Sequence, residues 1–126
     1  MTEYKEWLIE AQEFLNEARD DIGRGRYWLA CFHAQQATEL YLKGFLVRLT
    51  GSYPFTHSLV ELLEAIEGLN YEISEEIYTL GEALEKHYTR ARYPGLGLSI
   101  YNERVARRCL SYAEKIIKYL EKLLKE

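Results

Sequence analysis

The stretch "RYWLACFHAQQATELYLKGFLVRLT", residues 26–50, decides the fold. Leu29, Ala30, His33, Ala34, Ala37, Tyr41, Leu42, Phe45 and Leu49 recur in it at the three- and four-residue spacing of a helix face. The pattern predicts a long helix that begins near Arg26 and ends at "TGSYPF", where Gly51 and Pro54 break it. Ala30, Ala34 and Ala37 keep that face narrow, so another helix can approach closely, as in an antiparallel bundle.

The flanking sequence supplies the partners. Trp7, Leu8, Ala11, Phe14, Leu15, Ala18 and Ile22 predict a first helix, with Thr2 as N-cap and Gly23 and Gly25 as its stop. In "THSLVELLEAIEG", Ser58 and Glu61 have capping-box spacing, and Leu59, Leu62, Leu63 and Ile66 give a short third helix an apolar face. From about Ser74 to Arg92, Ile73, Ile77, Leu80, Leu84, Tyr88 and Ala91 share a face that ends at "RYPG". Ser99 can then cap a long final helix carrying Val105, Cys109, Tyr112, Ala113, Ile116, Ile117, Leu120 and Leu123. The expected fold is all-α: an antiparallel up-down bundle of four long helices plus one short helix, with residues 1–126 forming a single domain.

Composition agrees with that class. The 126 residues are 48% apolar and 29% charged, with only two prolines to interrupt helices. There is no repeat, linker or low-complexity stretch. The N-terminal "MTEYKEWLIE" lacks the form of a leader, and no apolar run approaches the roughly 20 residues of a membrane span, so a cytoplasmic protein is expected. Cys31 and Cys109 stand alone in sequence and are expected to be small core residues in a reducing compartment, not a disulfide or a zinc knuckle. Eleven tyrosines are many for this length, enough to supply both core and interface.

The net charge of −4 argues against general coating of nucleic acid, yet the charge is unevenly spread. Between His87 and Arg108, five arginines (Arg90, Arg92, Arg104, Arg107 and Arg108) face one acid, Glu103, which leaves +4 there and −8 elsewhere. Within "HYTRARYPG", residues 87–95, arginine forks suit phosphate, and Tyr88 and Tyr93 offer faces on which a base can stack. The plainer account is that arginine near a helix C-terminus complements the macrodipole while the tyrosines pack in the core.

His33, His57 and His87 lie on separate segments, without a second ligand at helical spacing, so neither a metal nor any other cofactor is expected. "GLG" at 95–97 is not a phosphate loop, and no local signature marks a nucleophilic triad. Arg26 and His33 fall on one face of the second helix, either as a phosphate-binding cation near a titrating imidazole or with His33 as a hydrogen-bonded core residue.

Taken together, "FHAQQATELYLKGFL" (Phe32 to Leu46), "THSLVELL" (Thr56 to Leu63) and "HYTRARYPG" (His87 to Gly95) resemble, in order and spacing, the HEPN domain family over nearly the full chain. The resemblance implies a small, usually dimeric helical bundle. Some members are metal-independent RNases, often toxins, whose active residues are an arginine and a histidine with four to six residues between them. Others are small stand-alone proteins paired with a minimal nucleotidyltransferase as partner or antitoxin, and nucleotide binding is a further family role. No histidine follows Arg90 or Arg92 here; Arg26 with His33 alone meets the RNase spacing, and His57 with Arg92 is the other catalytic candidate. What carries over is a binding set of Gln35, Gln36, Glu39, Lys43, His57, Arg90, Arg92 and Tyr93, expected to gather in a polar groove between the second helix and the end of the fourth. The leading expectation is therefore a non-catalytic nucleotide- or RNA-binding module, acting as a homodimer with a nucleotidyltransferase in a toxin–antitoxin-like system. A metal-independent endoribonuclease and a purely structural interaction module are the alternatives.

Overall fold

The computed structural model describes residues 3–91 and 100–125. These form an all-α bundle: α1 (Glu3–Gly23), α2 (Tyr27–Thr50), α3 (Leu59–Glu67), α4 (Glu75–Glu85), the single turn α5 (His87–Arg90) and α6 (Glu103–Lys125).

α2 is the axis. From Tyr41 to Val47 every residue is buried, because other helices surround it. Its small residues allow this. A Cβ on Gly44 would sit 2.7 Å from the Trp7 Cβ and 3.1 Å from Leu8 Cδ2, so the α1 and α2 backbones meet at a spacing only glycine permits. The tight turn between them uses Gly25 at φ +73°, and Ile22 at the end of α1 packs on Ala30 at the start of α2. The two helices are thus antiparallel. Arg19 of α1 bonds Glu114 of α6, which also runs against α1.

α3 is capped by Ser58, whose Oγ accepts from the Glu61 N–H at 3.1 Å. The expected return half of a capping box does not form: the Ser58 N–H donates to Thr56 Oγ1, and the Glu61 carboxylate takes the Thr56 hydroxyl. α3 and α4 are antiparallel, joined near one end by Tyr78 O–H donating to Glu67 and near the other by Ser58 O–H donating to Glu85. The segment between α2 and α3, residues 51–58, doubles back along α2. Tyr53 stands under the Lys43 ammonium and His57 reaches Glu39, so α3 starts high on α2 and runs in the same direction.

The fourth predicted helix divides at Lys86, where backbone bonding tightens to the three-residue type, Thr89 N–H donating to the Lys86 carbonyl. The last helix begins at Glu103, with Asn102 as the cap whose Oδ1 accepts from the Val105 N–H at 2.9 Å. The caps expected at Thr2 and Ser99 lie outside the described residues. Leu49, expected on the buried stripe of α2, is 37% exposed.

The reading of the cysteines is corrected. Cys31 on α2 and Cys109 on α6 are buried as expected, but they are joined in a disulfide across a sequence separation of 78 residues. Packing of α2 on α6 brings their Cα atoms to 5.2 Å, within bridging range, and spacing along the chain holds no trace of that contact. Among the described residues no helix is long and apolar enough to cross a membrane.

Candidate functional site

The polar face of α2 carries half of the expected binding set. Gln35, Glu39 and Lys43 follow one another at four-residue spacing and are all buried, an unusual burden for one helix. The Glu39 carboxylate makes it tolerable by collecting donors. Lys43 Nζ donates at 2.9 Å, Gln35 Nε2 at 3.2 Å and Gln36 Nε2 at 3.4 Å, and His57 Nδ1 lies 3.1 Å away. Gln36 also donates to Gln35 Oε1 at 2.8 Å, so the glutamine pair is satisfied internally.

A carboxylate only accepts, so His57 Nδ1 carries the proton toward Glu39. The Tyr88 hydroxyl lies 2.9 Å from its Nε2. The two rings lie nearly parallel, 14° apart with centroids at 3.9 Å. His57 is about half exposed, and with Ser58, Glu85, Lys86 and Tyr88 it lines a shallow depression of about 310 Å³. The N-terminus of α3 opens into this region but is already served: the Glu85 carboxylate accepts from the Ser58 hydroxyl at 2.8 Å and the Val60 N–H at 3.1 Å.

Gln35, Gln36, Glu39, Lys43 and His57 are therefore brought together, and Tyr88 joins them. Arg90 is exposed on α5, and its charge acts on His87 and Tyr101. Arg92 and Tyr93 lie outside the described residues.

Arg26 and His33 meet through a residue that sequence reasoning passed over. Asp21, fully buried near the end of α1, accepts from His33 Nδ1 at 2.6 Å, while Arg26 Nη2 stands 3.5 Å from its other oxygen. Among the described residues that Oδ1 has no hydrogen bond. Phe14 and Phe32 flank the imidazole. Asp20 and Asp21 read alike in sequence, as solvated acids before a glycine stop. Only the α1–α2 contact turns one of them inward.

His87 occupies a third cluster. Its Nδ1 lies 2.6 Å from the Tyr101 hydroxyl, and the imidazole lies against the Cys31–Cys109 pair. Burial, helped by the Lys86 and Arg90 charges, pushes its pKa down to about 4.

The HEPN domain family model matches residues 4–123. The chain belongs to the HEPN domain family. Solved structures agree. A protein of Thermus thermophilus is 31% identical, with 97% of this chain and 98% of that chain covered and a TM-score of 0.84. An archaeal HEPN homologue is 30% identical over 95% of this chain and 96% of its own, with a TM-score of 0.78. A HEPN domain protein of Thermotoga maritima is 30% identical over 96% and 98%, also with a TM-score of 0.78. The comparison with curated proteins found no match. Within this HEPN chain, the Glu39–His57–Tyr88 network and the Asp21–His33–Arg26 network are separate arrangements on opposite neighbours of α2: the first is built with the 51–58 segment and α5, the second with α1.

Proposed function

We propose that this HEPN domain is a non-catalytic module that binds a nucleotide or single-stranded RNA, acting as a homodimer beside a nucleotidyltransferase partner in a toxin–antitoxin-like pair. The observation that carries the reading is the fixed state of His57. Nδ1 is held by Glu39 and the ring is stacked on Tyr88, so the imidazole is a rigid ring at the rim of a depression. A half-exposed ring beside Lys86 offers a base a surface to lie on and a phosphate a cation to meet. Arg90 and Arg92 belong to the proposed anion-binding set. Phe55, 97% exposed two residues before His57, supplies apolar surface for a partner at the same edge.

The test is incubation of the purified protein in EDTA with end-labelled single-stranded RNA and, separately, with fluorescent ATP at low salt. Intact RNA is expected, with binding weakened about tenfold by His57→Ala and by Arg92→Ala and falling steeply with added salt. Failure of both ligands to bind at low salt would end the proposal.

A second reading rests on Asp21, whose buried carboxylate orients His33 beside Arg26 and so builds an acid–base pair next to a cation. It predicts metal-independent cleavage to 2′,3′-cyclic phosphate ends that His33→Ala abolishes and His57→Ala leaves intact.

A further inference from the structure

Cys31, Cys109 and His87 come from three different elements, α2, α6 and α5, yet one donor atom from each lies within 4.8 Å of the other two. All three side chains are buried. A Zn(II) ion with Zn–S of about 2.3 Å and Zn–N of about 2.0 Å separates its ligand atoms by roughly 3.5–3.8 Å, which this cluster reaches with small movements once the sulfurs are not bonded to each other. We propose that, when the disulfide is reduced, Cys31, Cys109 and His87 form a buried site for a thiophilic d¹⁰ cation, Zn(II) or Cu(I), which re-formation of the disulfide abolishes.

The surroundings are those of a metal site. Nδ1 of His87 lies 2.6 Å from the Tyr101 hydroxyl; in the tautomer whose Nδ1–H donates to the tyrosine oxygen, Nε2 is the nitrogen left to coordinate. A small cavity of about 110 Å³ adjoins the site and is lined by His87 and Cys109 together with Lys86 and Arg108. It gives a route of entry and room for one water as fourth ligand of Zn(II). Two thiolates neutralise Zn(II); with Cu(I) they leave one negative charge, which the Lys86 and Arg108 side chains at the cavity offset.

The chemistry balances. An external dithiol delivers two electrons and two protons to the S–S bond and is itself oxidised to a disulfide, leaving two cysteine thiols. Metal binding then displaces both thiol protons to solvent as the two M–S bonds form. An external disulfide reverses the sequence: it takes two electrons from the thiolates and two protons from solvent, is reduced to a dithiol, and the cation leaves as the S–S bond forms. The site therefore holds either a cross-link or an ion between α2 and α6, never both.

The test uses the full chain, reduced with a phosphine under anaerobic conditions. Co(II) is the optical probe, and Zn(II) and Cu(I) are titrated against chromophoric chelators specific for each. One ion per chain is expected, with thiolate-to-Co(II) charge-transfer absorption, release of about two protons, and no uptake by the disulfide form. The chelator arms show which cation is preferred. Cys109→Ser should abolish the charge-transfer band of a two-thiolate site, and His87→Gln should weaken binding at least tenfold. Circular dichroism of each variant reports whether the bundle is intact, and the comparison of reduced with oxidised protein needs no variant at all. Absence of stoichiometric uptake by the reduced chain would overturn the proposal, as would equal uptake by the disulfide form or undiminished binding in His87→Gln.

Discussion

Glu39 is 5% exposed and Lys43 7%, so each charge depends on the other and on the amides around them. Removing one partner strands its mate. Glu39→Leu should cost about 3–5 kcal/mol in urea unfolding, while Glu39→Leu combined with Lys43→Met should recover only part of that loss, because the charge pair is replaceable as a unit but the Gln35, Gln36 and His57 donors still lose their acceptor. His87 gives a second prediction at this scale, for the disulfide form. Its pKa is pushed down to about 4 from an ordinary value of 6.5, so between those limits the unfolded chain binds a proton that the folded chain does not. Stability should fall as pH drops through that window, by on the order of 3 kcal/mol at its lower end, and be insensitive to His87 above it. Thermal melts from pH 7 to pH 4 of the parent and His87→Gln should diverge in slope, the variant lacking this contribution. Parallel slopes would show that His87 protonates equally in both states.

At the scale of elements, the glycine at position 44 sets how near α1 comes to α2. Gly44→Ala places a methyl group 2.7 Å from the Trp7 Cβ, and that atom is close to backbone and cannot swing aside. A loss of about 1–3 kcal/mol is expected, read as a lowered urea midpoint at unchanged m-value. Gly81→Ala is the control: its nearest neighbour is Leu63 Cδ1 at 3.0 Å, the end of a side chain that can turn away. Much of this level was legible in the sequence. The apolar faces of α1, α3 and α6 follow helical spacing, and Ser58 does cap α3, while Ser74, read only as the start of the fourth helix, proves to cap α4. The interruption at Lys86 was not legible, because no glycine or proline marks it. Nor was Asn102 as the start of α6, since Ser99 three residues earlier offers the same cap chemistry.

Across the whole molecule, the candidate site was legible in part. The polar residues on α2 were legible through the family resemblance of the "QQATE" stretch, not from helical spacing. Their closure by Tyr88, the burial of Asp21 and the Cys31–Cys109 bond depend on which helices touch, and contacts across 31 or 78 residues leave no local pattern. The disulfide closes a loop over most of the chain. Its reduction should lower stability by as much as about 4 kcal/mol through the entropy regained by the unfolded state, while helical content below the transition stays unchanged. Calorimetry with and without a phosphine reductant, in the presence of a chelator, measures this.

The 51–58 segment that doubles back along α2 also acts as a ruler. From Thr50 up to the level of Glu39 the helix climbs about 16 Å, at 1.5 Å per residue. Seven residue-to-residue steps lead from Thr50 to His57, and fully extended they span about 23 Å, part of which Gly51 spends in reversing direction at φ +80°. Little slack remains. Shortening this segment by two residues would leave His57 short of Glu39, so the length of an otherwise plain connection determines whether the imidazole reaches its carboxylate.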